Sequence, residues 1–351
     1  MRDKRTGSSR NKWLLSAAAV LGALLIGTAS YAGFLYQKAD STLERISVAG
    51  PSSSDETGGK TETVQAKPIT FLLAGVDHRD GSGGSMNTDV LMLVAWNPQA
   101  REATLLSLPR DLELKPKSLS SQKANYYYAY FYNKDKETAI AETKTFFGDL
   151  LQLPIDYMAV IDFDGFRQWV DQLGGLEIDV DMDMRYTDEE DGTRIDLKKG
   201  LQKLNGKQTL DFVRYRKSND GTAESSDLER NARQQQVLGK LLDKMTSLGG
   251  IAQWSGLLDT IGRSVRTDVP ADRLREWALQ AGKLKPEKFE LIPLEGRWDS
   301  PYIVPKEDDL AGALAKLRAT VGLTGGVNGR LSDRIGLDRA DSSTVTGSTY
   351  R

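Results

Sequence analysis

Trp13 to Tyr36 is a run of 24 residues without one charged side chain, and no other feature limits so sharply what this chain can become. At about 1.5 Å per residue, a helix over that run spans ~36 Å, enough to cross a hydrocarbon core of ~30 Å with some tilt. Arg2, Lys4, Arg5, Arg10 and Lys12 precede it, opposed only by Asp3. Basic residues on that side predict a cytoplasmic N-terminus, with everything after the span outside the membrane. Small residues at Ala29 to Ala32 also fit a signal-peptide cleavage site, but the apolar run is long for a cleaved h-region. The expected organisation is a cytoplasmic stub (1–12), a single transmembrane helix (13–36), a polar extracytoplasmic linker (37–67), one domain (68–320) and a disordered tail (321–351) rich in Gly, Ser, Thr and Asp.

Composition narrows the chemistry. The chain has no cysteine and a single histidine, His78. A Cys/His zinc site, a thiol nucleophile and a disulfide framework are thereby excluded. A Ser-His-Asp system has only His78 to draw on, and no Gly-x-Ser-x-Gly elbow accompanies it. A net charge of -2 argues against a nucleic-acid partner. Phosphate chemistry run by Asp, Arg and a metal ion stays open.

Short, nearly continuous apolar runs at Ile69–Ala74, Val90–Val94 and Thr104–Leu108 suit strands covered on both faces, as does Tyr157–Ile161. Helical spacing appears over Glu137–Leu151 and from Asp164 to Leu173, where Gly174-Gly175 supplies a C-terminal cap. Leu176–Val180 is a further strand. Helices follow at Asp227–Leu248, Ile251–Val265, Pro270–Leu284 and Asp308–Arg318, with a strand at Phe289–Leu294. This alternation predicts an α/β fold, a three-layer sandwich with a central mixed β-sheet flanked by helices.

Three groups of residues carry candidate chemistry. Asp77 and Asp89 stand at the end of the first strand and the start of the second, where an α/β sheet forms its ligand crevice. Two carboxylates with phosphate oxygens make the hard oxygen shell of Mg²⁺, although a turn residue and a strand-end cap explain the same positions. Arg214 and Arg216, at i and i+2 of an expected strand, point the same way and fit two linked phosphates; a solvated basic edge is the plainer account. Asp227, Arg230 and Gln234 share one face of the helix that Asp227 opens, and Asp227 also fits an ordinary cap. The aromatic run Tyr126 to Tyr132 fits a groove lining or a packed core equally well.

Several blocks, in order, resemble the LytR-CpsA-Psr family over about Ile69 to Leu317. They are Leu73-Ala74-Gly75-Val76-Asp77-His78-Arg79, Thr88-Asp89-Val90-Leu91-Met92-Leu93, Ser107-Leu108-Pro109-Arg110-Asp111 and Lys123-Ala124-Asn125. Ile155-Asp156-Tyr157, Leu173-Gly174-Gly175, Leu204-Asn205-Gly206, Val213-Arg214-Tyr215-Arg216 and Asp227 to Gln236 follow. The resemblance implies a membrane-anchored phosphotransferase of mainly Gram-positive bacteria. It would move an anionic glycopolymer of teichoic acid or capsule type from a polyprenyl-diphosphate carrier to peptidoglycan, leaving a phosphodiester. By position, Asp77 and Asp89 would hold Mg²⁺, with Mn²⁺ as the alternative ion. Arg79, Arg110, Arg214, Arg216, Arg230, Arg233 and Gln234 would bind the diphosphate. Asp227 would be the general base, acting with Arg110, Arg214 and Arg216. A polyprenyl-diphosphate binding protein without chemistry and a diphosphate hydrolase are the alternatives. Asn87 stands where the family usually has arginine, and Phe131-Tyr132-Asn133 replaces an expected Gly-Gly.

Overall fold

The computed structural model describes residues 35–48, 67–76, 86–189, 192–225, 227–246, 254–327 and 329–338. Its centre is a mixed six-stranded sheet. Strands β1 (Ile69–Val76), β2 (Thr88–Asn97) and β3 (Glu102–Leu108) form an antiparallel meander. β6 (Tyr157–Asp162) joins β1 in parallel, β12 (Lys288–Pro293) joins β3 in parallel, and β11 (Val265–Thr267) closes the other edge, giving the order β11-β6-β1-β2-β3-β12. Between β3 and β6 lie the short pair β4 (Glu113–Leu114) and β5 (Gln122–Lys123).

Both faces of the sheet are covered, which is why its strands read as almost unbroken apolar runs. On one face Leu72, Ala74, Leu91, Leu93, Leu106 and Val160 pack against α2 (Tyr126–Lys134), α3 (Ala139–Leu151) and α9 (Glu307–Thr320). On the other, Phe71, Trp96 and Tyr157 receive Trp277 of α8 (Ala271–Leu284) edge-on, at centroid distances of 5.7–5.9 Å. The three-layer expectation therefore holds for the domain. The aromatic run is helical and mostly core: Tyr127, Tyr128 and Phe131 are buried. Burial pushes the Tyr127 phenol up to about 12, and its hydroxyl donates to the Ser120 carbonyl at 2.8 Å.

A second apolar cluster lies under α4 (Phe163–Gln172), β7 (Leu176–Val180), the hairpin β8 (Met184–Thr187) and β9 (Arg194–Leu197), β10 (Gly200–Leu204), α5 (Gly206–Arg214), α6 (Asp227–Thr246) and α7 (Trp254–Ser264). β8 pairs antiparallel with β9, and β10 with β7. Helix α5 begins with a reciprocal capping box, in which Asn205 accepts from the Gln208 backbone and Gln208 accepts from that of Asn205. Gly206 allows α4 and α5 to touch, because a Cβ there would lie 2.0 Å from the Arg167 carbonyl oxygen. Backbone cannot yield as a side chain would. Gly206→Ala is therefore expected to cost about 3 kcal/mol, measured as a lower urea midpoint at unchanged m-value.

Three boundary expectations change. The linker was to begin at residue 37, but residues 35–46 form a helix, α1. Ala39, Leu43 and Ile46 recur at helical spacing; Leu43 and Ile46 pack into the second core, and Ile46 is buried. Lys38 pairs with Asp259 at 2.7 Å, and Arg275 with Asp40 at 2.6 Å. The tail expected to be disordered from 321 is instead folded to residue 338. Leu331 and Ile335 are buried in the first core, and Ile335 bridges Leu114. The third change concerns Arg214, which ends helix α5 rather than lying in a strand; Leu210 and Phe212 imitate period-2 alternation inside a capped helix. The apolar run lies outside the described residues from 13 to 34. No helix among the described residues is long and apolar enough to cross a membrane.

Candidate active site

The sheet edge where β1 ends, β2 begins and β3 and β6 end gathers several of the expected residues. Register sets Val76 opposite both Thr88 and Asp162, so the three chain segments meet at one level. Asn125 ties the start of β2 to the turn after β3: its carbonyl accepts from Thr88 N–H and its own N–H donates to the Arg110 carbonyl, both at 3.1 Å. Asp89 and Arg110 are thus fixed by backbone. Arg110 Nη1 donates to Asp89 Oδ1 at 2.8 Å, and Arg214 Nη2 lies 3.9 Å from Asp89 Oδ2. One carboxylate stands between two guanidinium groups contributed by distant parts of the chain.

Supporting side chains hold that arrangement. Arg110 Nε faces Asp111 Oδ2 at 3.5 Å, while Asp111 Oδ1 accepts from Lys123 Nζ at 2.7 Å. Burial disfavours the Arg110 charge, but the hydrogen bond and field of Asp89, joined by Asp111, more than offset it and raise its pKa above the ordinary value. Arg214 spreads over the Phe163 ring at 5.6 Å. Phe163 in turn rests on Gly75, where a Cβ would approach it to 2.7 Å. Asp162 starts α4 by accepting from the N–H groups of Asp164 and Gly165 at 2.7 and 3.2 Å.

Of the other expected residues, Asp77 and Arg79, with His78, lie outside the described residues. Asp77 directly follows Val76. Arg216 is exposed two positions beyond Arg214, across the buried Tyr215. Asp227 opens α6, and Arg230 and Gln234 are half-buried one turn apart on that helix. Gln234 Oε1 and Thr88 Oγ1 are buried polar atoms without a hydrogen-bond partner among the described residues.

Arg233 is a correction. Expected beside the diphosphate, it is 2% exposed, and its guanidinium is spoken for. It grips Asp181 with two hydrogen bonds of 2.7 and 2.6 Å, donates to Ser225 Oγ at 2.6 Å and lies over Phe212 and Tyr215. Three positions after Arg230 it lies on a neighbouring strip of α6, about 60° round the helix, where Phe212 and Tyr215 of the second core receive it. Phe163 and Asp111 support the two arginines without carrying a motif signal of their own. Asp111 adjoins Arg110 within a quoted motif, whereas nothing in the local sequence singles out Phe163.

Among the described residues no group of three or more acidic or histidine side chains could hold a metal ion. Mg²⁺ does not need one, since one or two carboxylates, substrate phosphate oxygens and waters complete its octahedron. Asp89, partly exposed at a crevice edge, has the donor chemistry for that arrangement.

The comparisons with known proteins agree with this architecture. The teichoic acid transferase TagU of Bacillus subtilis is 29% identical over 283 residues, covering 80% of this chain and 85% of TagU. TagV of the same species, also described as a polyisoprenyl-teichoic acid–peptidoglycan teichoic acid transferase, is 27% identical over 257 residues. That match covers 73% of this chain but only 63% of TagV's length. The crystal structure of B. subtilis TagV superposes with a TM-score of 0.56 at 26% identity, covering 74% of this chain and 99% of that one. Residues 31–317 match the LytR_cpsA_psr family model, and with the ordered motifs and the mixed sheet this chain belongs to the LytR_cpsA_psr family.

Proposed function

We propose that this protein is a Mg²⁺-dependent phosphotransferase that moves an anionic glycopolymer, of teichoic acid or capsule type, from a polyprenyl diphosphate to peptidoglycan. The observation that carries the proposal is the Arg110–Asp89–Arg214 cluster at the sheet edge. Two guanidinium groups suit the oxygens of a diphosphate. The related TagU and TagV are named for transfer of teichoic acid to peptidoglycan.

In this reaction a muramic-acid hydroxyl oxygen forms a bond to the polymer-bearing phosphorus as the bridging P–O bond of the diphosphate breaks. The lipid leaves as its monophosphate. Arg110 and Arg214 stabilise charge on the transferring and departing phosphoryl oxygens, with Arg216 and Arg230 assigned to the same clamp. Gln234 contributes a hydrogen bond. Asp227, at the start of α6, takes the hydroxyl proton. Mg²⁺ held by Asp89 and Asp77 would add positive charge against the phosphoryl oxygens, and Mn²⁺ fits the same donors.

The same reading anchors the chain through residues 13–36, with its N-terminus cytoplasmic and the domain outside, beside both lipid carrier and wall. The basic residues before the apolar run support that orientation.

The test uses the detergent-solubilised full chain with polyprenyl-diphosphate-linked polymer and peptidoglycan. Polymer should become joined to the wall through a phosphodiester, cease to do so after chelation, and resume with added Mg²⁺ or Mn²⁺. Chelator-insensitive transfer would remove the metal from the mechanism. Free phosphorylated polymer released without acceptor would make the protein a hydrolase, and binding without turnover a carrier-binding protein.

A further inference from the structure

Beside the cluster, but outside it, stands the hairpin of β13 (Gly296–Asp299) and β14 (Tyr302–Pro305). All four residues of β13 are exposed, and Trp298 keeps 58% of its surface in solvent. The mount is firm. Ile303 N–H donates to the Asp111 carbonyl at 2.9 Å, and Arg297 bonds both Asp338 and Asp299 at 3.0 Å. Gly296 lies so near β14 that a Cβ would come within 2.7–2.8 Å of Ile303 and Pro305.

One line of contacts joins the exposed ring to the candidate site. Lys123 Nζ is 5.9 Å from the Trp298 ring centre and 2.7 Å from Asp111 Oδ1. Asp111 then faces Arg110 at 3.5 Å, and Arg110 bonds Asp89 at 2.8 Å. Tyr126, three residues after Lys123, is also exposed.

We propose that Trp298 is a stacking platform for a pyranose ring, and that Lys123 holds it in register with the Arg110 end of the diphosphate site. The proposal rests on the transferase reading and adds to it where the saccharide lies. A pyranose presents C–H groups on its faces and hydroxyls around its rim. It therefore matches an indole face with a charged group beside it, here Lys123, because polarised C–H groups seek the negative π face as an ammonium does. A lipid chain or a protein partner calls for a contiguous apolar patch of a few hundred Å². On this hairpin Trp298 is the one exposed large apolar side chain, and Lys123 sits at its ring, so no such patch forms there. The sugar belongs either to the donor polymer or to the glycan acceptor.

Calorimetric titration of the full chain separates these sources with three probes: geranylgeranyl diphosphate, polyprenyl-diphosphate-N-acetylglucosamine, and the peptidoglycan disaccharide of N-acetylglucosamine and N-acetylmuramic acid. Trp298→Ala should weaken one saccharide probe by about tenfold relative to wild type, the scale of one lost aromatic stack, and leave the sugar-free diphosphate unchanged. Trp298→Phe should retain most of the affinity. Loss on the glucosamine-bearing lipid alone assigns the platform to the donor, and loss on the disaccharide alone to the acceptor. Unchanged affinity for both saccharides in Trp298→Ala, with an unaltered melting curve, overturns the proposal. Binding is read without turnover, so the two ideas fail separately. A wild-type chain that binds saccharide through Trp298 but transfers nothing removes only the transferase reading. Lost transfer in Asp89 variants alongside normal saccharide affinity in Trp298→Ala removes only the platform.

Discussion

Asp89→Ala should lower polymer transfer on the order of 10²-fold or more, the scale seen when one preorganised charge-stabilising group is removed. The carboxylate does two things in this geometry. It holds Arg110 by a 2.8 Å hydrogen bond with Arg214 on its other side, and it supplies the oxygen chemistry proposed for the metal. Asp89→Asn distinguishes those tasks. It keeps the shape and part of the hydrogen bonding but loses the charge, so a metal role predicts a loss almost as deep as in the alanine variant. With divalent metal chelated, affinity for a sugar-free prenyl diphosphate should not fall in either variant, because removing a negative charge from between two arginines favours the anion. The expected signature is a fall in kcat without a matching loss of diphosphate affinity. Transfer within twofold of wild type in both variants would remove Asp89 from the mechanism.

A large effect on stability is expected at the Arg233–Asp181 pair, and it should be asymmetric. Arg233 is 2% exposed at its side chain while Asp181 is 38% exposed. Asp181→Ala strands a buried guanidinium and should cost about 3 kcal/mol, the lower end of the range for breaking a buried pair, because Ser225 still accepts one hydrogen bond. Arg233→Met leaves behind a carboxylate that water can reach and keeps much of the apolar packing on Phe212 and Tyr215, so it should cost less. Urea denaturation of both variants gives the comparison. The same pair of variants tests the corrected assignment: a diphosphate ligand at 233 would lose lipid affinity in Arg233→Met at unchanged stability. A larger loss in Arg233→Met than in Asp181→Ala would contradict the burial argument.

The central strands were legible because a sheet covered on both faces demands consecutive apolar residues, as in Ile69–Val76 and Thr88–Asn97. Helix α4 and its glycine cap were legible for a similar reason. Gly174 and Gly175 adopt φ of 75° and 84°, a region costly to side chains. The end of helix α5 at Arg214 was not legible, because Leu210 and Phe212 alternate over too few residues to separate period 2 from period 3.6. The Asn205–Gln208 capping box is the stronger local signal and marks where the helix starts. The polar surroundings of Leu43, Ile46, Leu331 and Ile335 hid anchors that are isolated in sequence but close pockets in the cores.

Local pattern and motif order were sufficient to specify the layered α/β domain, the family and the residue types at the crevice, since periodicity and spacing are properties of neighbouring residues. They could not say which arginine would turn inward. Arg230 and Arg233 differ by three positions on one helix, and only packing against Phe212, Tyr215 and Asp181 commits Arg233 to the interior. Motif order grouped Asp89, Arg110 and Arg214 only through the family likeness, without the contacts between them, and it could not bring Lys123 up to Trp298. Those meetings depend on strand register and hairpin docking, long-range contacts whose energies are settled when the sheet and its flanking helices pack together.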